Sequence, residues 1–348
     1  MKNILSIENL DVTFRTNAGD VHALRGIDFE LPHGKTVALV GESGSGKSVT
    51  MKAVVGLLDA NARINSGKIF YGGEDLLTLP KKTLRRKING REIAMVFQDP
   101  MTSLDPTMQI GEQITEAITL HKKISAADAR KQAERLLELV GIADPNRRGD
   151  AARRAKNYPH QLSGGMRQRV VIAIALSCEP KILICDEPTT ALDVTVQARI
   201  LDLIKNLQAE MDLSVVYITH DLGVVARVAD YVNIMYAGKI IERGTTDEIF
   251  YDPRHPYTWG LLSAMPDLET NDERLYSIPG SAPNLLHEPK GDAFAARNKF
   301  AMKIDERIAP PMFQISETHF AATWLLHPDA PKIKPPPELR ERLLRSKR

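Results

Sequence analysis

The chain has 348 residues, enough for one large or two modest domains with a sizeable core. Its 46 basic and 44 acidic residues leave a formal charge of +2, which excludes a global electrostatic pull toward nucleic acid. Two cysteines, Cys178 and Cys185, exclude a disulfide framework; both lie in apolar runs, read as small core residues, and fit a reducing cytosol. The opening residues Met1 to Glu8 carry no signal-peptide apolar stretch. The longest apolar run, Val170 to Cys178, is far too short to span a bilayer, so action at a membrane would need a channel supplied by another chain.

Residues from Ile4 to Leu31 alternate apolar and polar, and this predicts antiparallel strands packed on one face. Phe14 lies among them; an aromatic there either joins the core or stacks on a nucleotide base. The apolar run Val37 to Val40 predicts a buried strand, and Val49 to Ala53 a helix. Between them stands Gly41-Glu42-Ser43-Gly44-Ser45-Gly46-Lys47-Ser48, a phosphate-loop pattern in its strand–loop–helix context. The glycines let the backbone curl so that successive N–H groups cradle phosphate oxygens, and the helix that opens near Val49 adds its positive end. Lys47 is expected on the β- and γ-phosphates and the Ser48 hydroxyl on Mg²⁺.

Gly67 to Gly73 predicts a further strand and turn, and Ala94 to Phe97 a short strand ending at Gln98. From about Met101 to Asn157 the chain becomes helical and charged. There Ser125 and Asp128 form a helix start, Ala129, Ala133, Leu136, Leu137 and Val140 one apolar stripe, and Gly141 a stop. Leu162-Ser163-Gly164-Gly165-Met166 then opens the apolar helix through Ser177, either as an ordinary N-cap or as a second anion-binding terminus. Lys181 to Pro188 is an apolar strand ending in two carboxylates, the expected partner of a phosphate loop. Asp186 is expected in the Mg²⁺ shell, and Glu187 beside the γ-phosphate, polarising the attacking water. Ala191-Leu192-Asp193 predicts a tight turn, with Val196, Ile200, Leu203 and Leu207 as the buried stripe of the next helix. The strand Val215 to Thr219 delivers His220 to the end of the sheet, where ligands of α/β folds collect. Tyr231 to Arg243 predicts a hairpin turning at Ala237-Gly238. After about Phe250 frequent prolines predict short elements and turns, and Glu338 to Arg348 a solvated, mostly basic tail.

In this order, Gly41 to Ser48, Gln98, Leu162 to Met166, Asp186-Glu187, Ala191 to Asp193 and His220 resemble the motif set of an ATP-binding cassette (ABC) ATPase over residues 4 to 250. The resemblance implies an α/β ABC-type P-loop NTPase: a mixed, largely parallel core sheet with an antiparallel β subdomain and a helical subdomain at about 100–160. Residues 1–250 would form the ATPase domain and 251–348 a small C-terminal extension. It also implies two cassettes sandwiching two ATP molecules, with Ser163, Gly164 and Gly165 of one closing on the γ-phosphate held by the loop of the other. Catalytic roles fall on Glu187, His220 and Lys47. Nucleotide contacts fall on Phe14 (at adenine), Gly41, Ser43, Gly44, Ser45, Gly46, Lys47, Ser48, Val49, Gln98, Asp186 and, at the dimer contact, Asp193; Ser48, Gln98 and Asp186 would ligate Mg²⁺.

His255-Pro256-Tyr257-Thr258 and Ile278-Pro279-Gly280-Ser281-Ala282-Pro283 are similar to the extension of oligopeptide and dipeptide importer ATPases. That resemblance implies peptide uptake, two membrane permease subunits, a second ATPase (a heterodimer over a homodimer), an extracytoplasmic binding protein, and a place on the cytoplasmic membrane face. Import of nickel or another small solute is the alternative within the subfamily. A soluble cassette acting on ribosomes or DNA is the remote one, and no nucleic-acid partner is expected. Many relatives carry four cysteines in the extension for an iron–sulfur cluster. Here those positions fall on Asp292, Asn298, Asp305 and Thr323, so no cluster is expected.

Overall fold

Apolar runs without polar interruption become strands buried along their whole length, as expected of parallel sheets covered on both faces. The computed structural model describes residues 2–190, 192–265, 277–337 and 339. It divides into two compact units. One comprises Met1–Ile4, Leu31–Lys35 and Leu76–Ile218; the other comprises Leu5–Glu30, Thr36–Asp75 and Thr219–Arg348.

In the first unit, Ile93–Val96, Ile182–Asp186 and Ser214–Thr219 run parallel, with Ile93 opposite Ile182 and Cys185 opposite Tyr217. Every residue of the latter two strands is buried. The expected helical region is present as Ile110–His121, Ala126–Leu139 and Asp150–Ala155. Ser125 accepts the Asp128 N–H at 3.1 Å, its predicted stripe is buried, and Gly141 follows the helix at φ +69°. The helix Val194–Met211 buries Ile200, Leu201, Ile204 and Leu207. Ile200 and Leu207 of the expected stripe are buried, Val196 and Leu203 half-buried, and Leu201 and Ile204 are buried beside them, so the helix packs through a broader face than a single line. Ala191, in the predicted tight turn, and the tail 340–348 lie outside the described residues.

In the second unit, Thr36–Val40 runs parallel to Tyr231–Tyr236, which turns back into Lys239–Thr245. The turn residues Ala237 and Gly238 both have positive φ, +46° and +77°, the left-handed pair that a two-residue hairpin requires. The short strand Phe320–Ala321 pairs with Lys239–Thr245 and with Phe313–Gln314, so residues beyond 250 extend the sheet. A separate four-stranded sheet has the order Gly19–Pro32, Asn3–Thr16, Ala62–Tyr71, Glu74–Asp75. Its third strand begins at Ala62, earlier than the expected Gly67, since pairing with the first strand resumes at Ile64, Arg63 and Ala62 beyond a register shift that skips Asn65. Cys185 is buried and Cys178 half-buried. Among the described residues no helix is long and apolar enough to cross a membrane.

The segment past 250 is tied down through a carboxylate. Glu242 is 0% exposed and accepts the N–H groups of Arg254 (2.6 Å) and His255 (3.0 Å) and bonds His319 Nε2 (2.9 Å). Removing it strands buried polar groups from two separate stretches of chain. Glu242→Ala is expected to lose about 3–5 kcal/mol of unfolding free energy in chemical denaturation. A loss below about 1 kcal/mol would mean that packing, not this node, holds the segment.

Candidate nucleotide-binding site

The phosphate loop lies in the second unit, between the buried strand Thr36–Val40 and the eight-residue helix Lys47–Val54. A Cβ on Gly41 would sit 2.2 Å from the Met235 carbonyl, so only glycine permits this approach. Gly46 caps the helix in a left-handed conformation and, being glycine, brings no side-chain cap to its first turn. Gly44 is exposed at φ +78°, a left-handed conformation that favours glycine. Lys47 is only 5% exposed and donates to the carbonyls of Gly41 (2.8 Å) and Glu42 (2.9 Å). Ser45 Oγ is buried with no hydrogen-bond partner among the described residues. A glycine-rich curl at a helix N-terminus, a buried cation and an orphaned hydroxyl form a cradle suited to an anion.

In the first unit, Asp186 ends its strand nearly buried, and Glu187 takes the unusual φ of +46°. Glu187 N–H continues the ladder to the Ile218 carbonyl at 2.9 Å. Its Oε2 accepts from Gln98 Nε2 and from Thr190 Oγ1, each at 3.0 Å. The structure thus brings Gln98 and Glu187 together as a pair. Thr190 was absent from the sequence expectations. Its signal was available as a hydroxyl three residues past the second carboxylate.

Ser163 caps the helix Gly164–Leu176, accepting the Met166 N–H at 3.3 Å. The helix starts at Gly164, because the cap lets both glycines join its first turn. A Cβ on Gly165 would sit 2.4 Å from Val196 Cγ1, so this glycine also admits a close helix approach. Asp193 caps the facing helix Val194–Met211 by accepting the Val196 N–H at 2.9 Å. In the second unit, His220 is exposed just past its strand, Val49 sits in the loop's helix, and Ser43 is exposed in the loop. Phe14 is half-buried, opposite Ala62, while its neighbour Val12 is fully buried. The magnesium donors expected from sequence, Ser48 hydroxyl, Gln98 amide oxygen and Asp186 carboxylate, are all hard oxygens that suit that ion.

The ABC transporter family profile matches residues 24–190, and a profile described as the oligopeptide/dipeptide transporter C-terminal region matches 241–304. The oligopeptide transport ATP-binding protein OppD of Bacillus subtilis is 55% identical over 98% of this chain and 94% of its own. The dipeptide transport ATP-binding protein DppD of Lactococcus lactis is 57% identical over 96% and 94%. The chain belongs to the ABC transporter ATP-binding proteins of the oligopeptide/dipeptide type. Among solved structures, the dimeric bacterial ABC transporter cassette MJ0796 is 27% identical, covering 70% of this chain and 98% of that one at a TM-score of 0.60. A related structure of that cassette is a post-hydrolysis dimer bound to ADP and Pi. As a cassette of this family the chain is an ATPase whose hydrolysis is coupled to transport.

In the C-terminal region of this ABC protein, the four cluster positions hold oxygen-bearing side chains already engaged with nearby backbone. Asp292 accepts the Phe294 N–H (2.9 Å), Asn298 that of Phe300 (2.9 Å), Asp305 that of Met302 (2.6 Å) and Thr323 that of Leu325 (3.3 Å). An iron–sulfur cluster needs thiolates, so this donor set does not fit one. Asp292 is pushed up to about 6 from 3.8 by burial, with the Asp305 charge adding, against the Phe294 N–H and the Arg25 and Lys239 charges. Because the folded pKa is the higher one, the native state holds a proton that the unfolded chain has released across this window. Stability therefore falls as pH rises from about 4 to about 6 and stays lower above it. Asp292→Asn keeps an oxygen for Phe294 and is expected to add on the order of 2 kcal/mol near pH 7 while flattening the window. Denaturant titrations across that range check this; an unchanged pH profile would contradict it.

Proposed function

We propose that this chain powers the uptake of oligopeptides or dipeptides through a membrane ABC importer. The identities above 50% to peptide transport ATP-binding proteins over nearly the whole chain support that cargo class over nickel or another small solute. Two membrane permease subunits would supply the channel, a second and different ATPase subunit the other half of the cassette pair, and an extracytoplasmic binding protein the peptide. The chain would sit peripherally at the cytoplasmic membrane face, with residues 1–250 as the ATPase domain and 251–348 as its extension.

The observation that carries the catalytic reading is the pinning of Glu187. A carboxylate at the end of a buried strand, fixed by an amide and a hydroxyl on one oxygen, is held in a set orientation, as a base for water needs. The amides from Gly41 to Ser48, with Val49 opening the helix, would grip the phosphates. Lys47 would exchange its loop carbonyls for the β- and γ-phosphates and stabilise charge on the transferring phosphoryl group. Ser48, Asp186 and Gln98 would hold Mg²⁺, which when bound supplies charge neutralisation at the phosphates. Phe14 would stack on adenine, and His220 would contact the γ-phosphate. Ser163, Gly164 and Gly165 of a partner cassette, with Asp193 at the contact, would complete the site on closure, so that closure is the step transmitted to the permease.

Glu187→Gln keeps the hydrogen-bonding shape but removes the base. It is expected to bind MgATP with an affinity within about threefold of the parent while turnover falls by at least about a hundredfold. Titration of MgATP and phosphate release, measured on the same preparations, check both halves. Near-normal hydrolysis would take Glu187 out of this role.

A further inference from the structure

The phosphate loop contains an acidic residue that the nucleotide chemistry does not call for. Glu42 stands second in the loop, and a carboxylate there opposes a triphosphate arriving in the same cradle. Its three polar parts are all engaged. The carbonyl accepts from Lys47 Nζ at 2.9 Å. The N–H donates to the Tyr257 hydroxyl at 3.0 Å. The carboxylate takes a two-pronged pairing from Arg297, with Nη1 to Oε2 at 2.8 Å and Nη2 to Oε1 at 3.0 Å.

Both partners come from beyond residue 250, and both are rigidly held. Tyr257 is 0% exposed and lies in the first turn of the helix Pro256–Ser263, where Pro256 takes the first position and His255 Nδ1 accepts the Tyr257 N–H at 3.0 Å. Accepting that bond requires a neutral imidazole, and burial pushes His255 down to about 3. Arg297 also donates through Nε to the Pro279 carbonyl at 2.8 Å and through Nη1 to the Tyr236 hydroxyl at 3.2 Å. Its side chain is 7% exposed, against 32% for Glu42, so the cation is the fixed member of the pair. Tyr236, Tyr257 and Phe294 pack ring against ring at 4.7–5.3 Å, and the guanidinium lies 5.7 Å from the Tyr236 ring and 5.9 Å from Phe294. The two C-terminal motifs singled out in the sequence, His255 to Thr258 and Ile278 to Pro283, thus converge on one loop residue.

We infer that Arg297 and Tyr257 are positioning residues of the phosphate loop: by neutralising and fixing Glu42 from the C-terminal segment, they set the affinity of this chain for ATP. Arg297 cancels the misplaced negative charge, and its planar fork fixes the carboxylate's direction in a way a lysine cannot. Tyr257 holds the Gly41–Glu42 peptide by its N–H, and that peptide's carbonyl, of Gly41, accepts from Lys47 at 2.8 Å. The C-terminal segment is then part of the nucleotide site's support. The inference rests on the reading of Gly41 to Ser48 as the ATP loop.

The test titrates MgATP into the full chain and follows hydrolysis for the parent, Arg297→Ala, Arg297→Lys, Tyr257→Phe and the double variant Arg297→Ala with Glu42→Gln. Arg297→Ala is expected to weaken MgATP binding about tenfold or more, because a charged pair is broken beside an anion site. Arg297→Lys should fall between it and the parent. Removing the carboxylate as well should bring affinity back to within about threefold of the parent, which a merely structural role for Arg297 would not do. Tyr257→Phe preserves the packing and should raise KM for ATP about threefold or more with kcat within about twofold. Parent-like affinity in Arg297→Ala, or no recovery in the double variant, would overturn the role of Arg297. Should Arg297→Ala not fold, the lysine and phenylalanine variants decide: parent-like affinity in both overturns the inference. Absence of MgATP binding by the parent itself would instead refute the nucleotide reading of the loop.

Discussion

The Met235 carbonyl lies so close to Gly41 that no side chain can occupy that position, and the phosphate loop depends on this contact. It presses the start of the curl against the strand Tyr231–Tyr236, the parallel neighbour of the loop's own strand. The end of that strand is then stitched to the far side of the curl, since the Gly238 N–H donates to the Ser45 carbonyl at 3.0 Å. Arg25 clamps the same turn, its Nε donating to the Ala237 carbonyl at 2.9 Å. A backbone that must present several N–H groups inward has few hydrogen bonds of its own, so its shape has to come from neighbours. Here the neighbours are the hairpin on one side and residues 257 and 297 on the other.

The carboxylate end follows a different logic. Glu187 occupies left-handed space, which for a non-glycine residue costs on the order of 1–3 kcal/mol and persists only where surroundings over-determine it. The over-determination is visible: a ladder bond to Ile218 before the side chain, and Gln98 and Thr190 on the carboxylate after it. Strain placed at this residue is consistent with orientation mattering more there than stability.

Much of this was legible in the chain before any coordinates. The phosphate loop, the carboxylate strand, the hairpin turn at Ala237-Gly238 and the Ser125 helix start are local, each governed by glycine conformations, caps or short periodicities. What escaped was non-local or depended on packing. Glu42 and Arg297 are 255 residues apart, and nothing in either neighbourhood marks them as partners. The full width of the buried face of Val194–Met211, which adds Leu201 and Ile204 to Ile200 and Leu207, does not follow from one apolar spacing, because only the packing chooses among adjacent stripes. Gly165 reads equally as a flexible anion-binding residue or as room for a neighbouring helix; the 2.4 Å approach of Val196 reveals the second demand without removing the first. Thr190 was one short step beyond where the carboxylate motif was taken to end.

Glu42 and Glu187 make the organising principle plain, because the fold treats two glutamates in opposite ways. Glu187 receives an amide and a hydroxyl on one oxygen, which orient its carboxylate. Glu42 receives a guanidinium fork that matches both oxygens and cancels the charge. A base for water needs an oriented carboxylate; a loop that welcomes a triphosphate needs its own negative charge cancelled. The type of neighbour, not the residue, separates the two roles. The cation that separates them comes from the C-terminal region, which is why that region belongs in the physical description of the nucleotide site rather than beside it.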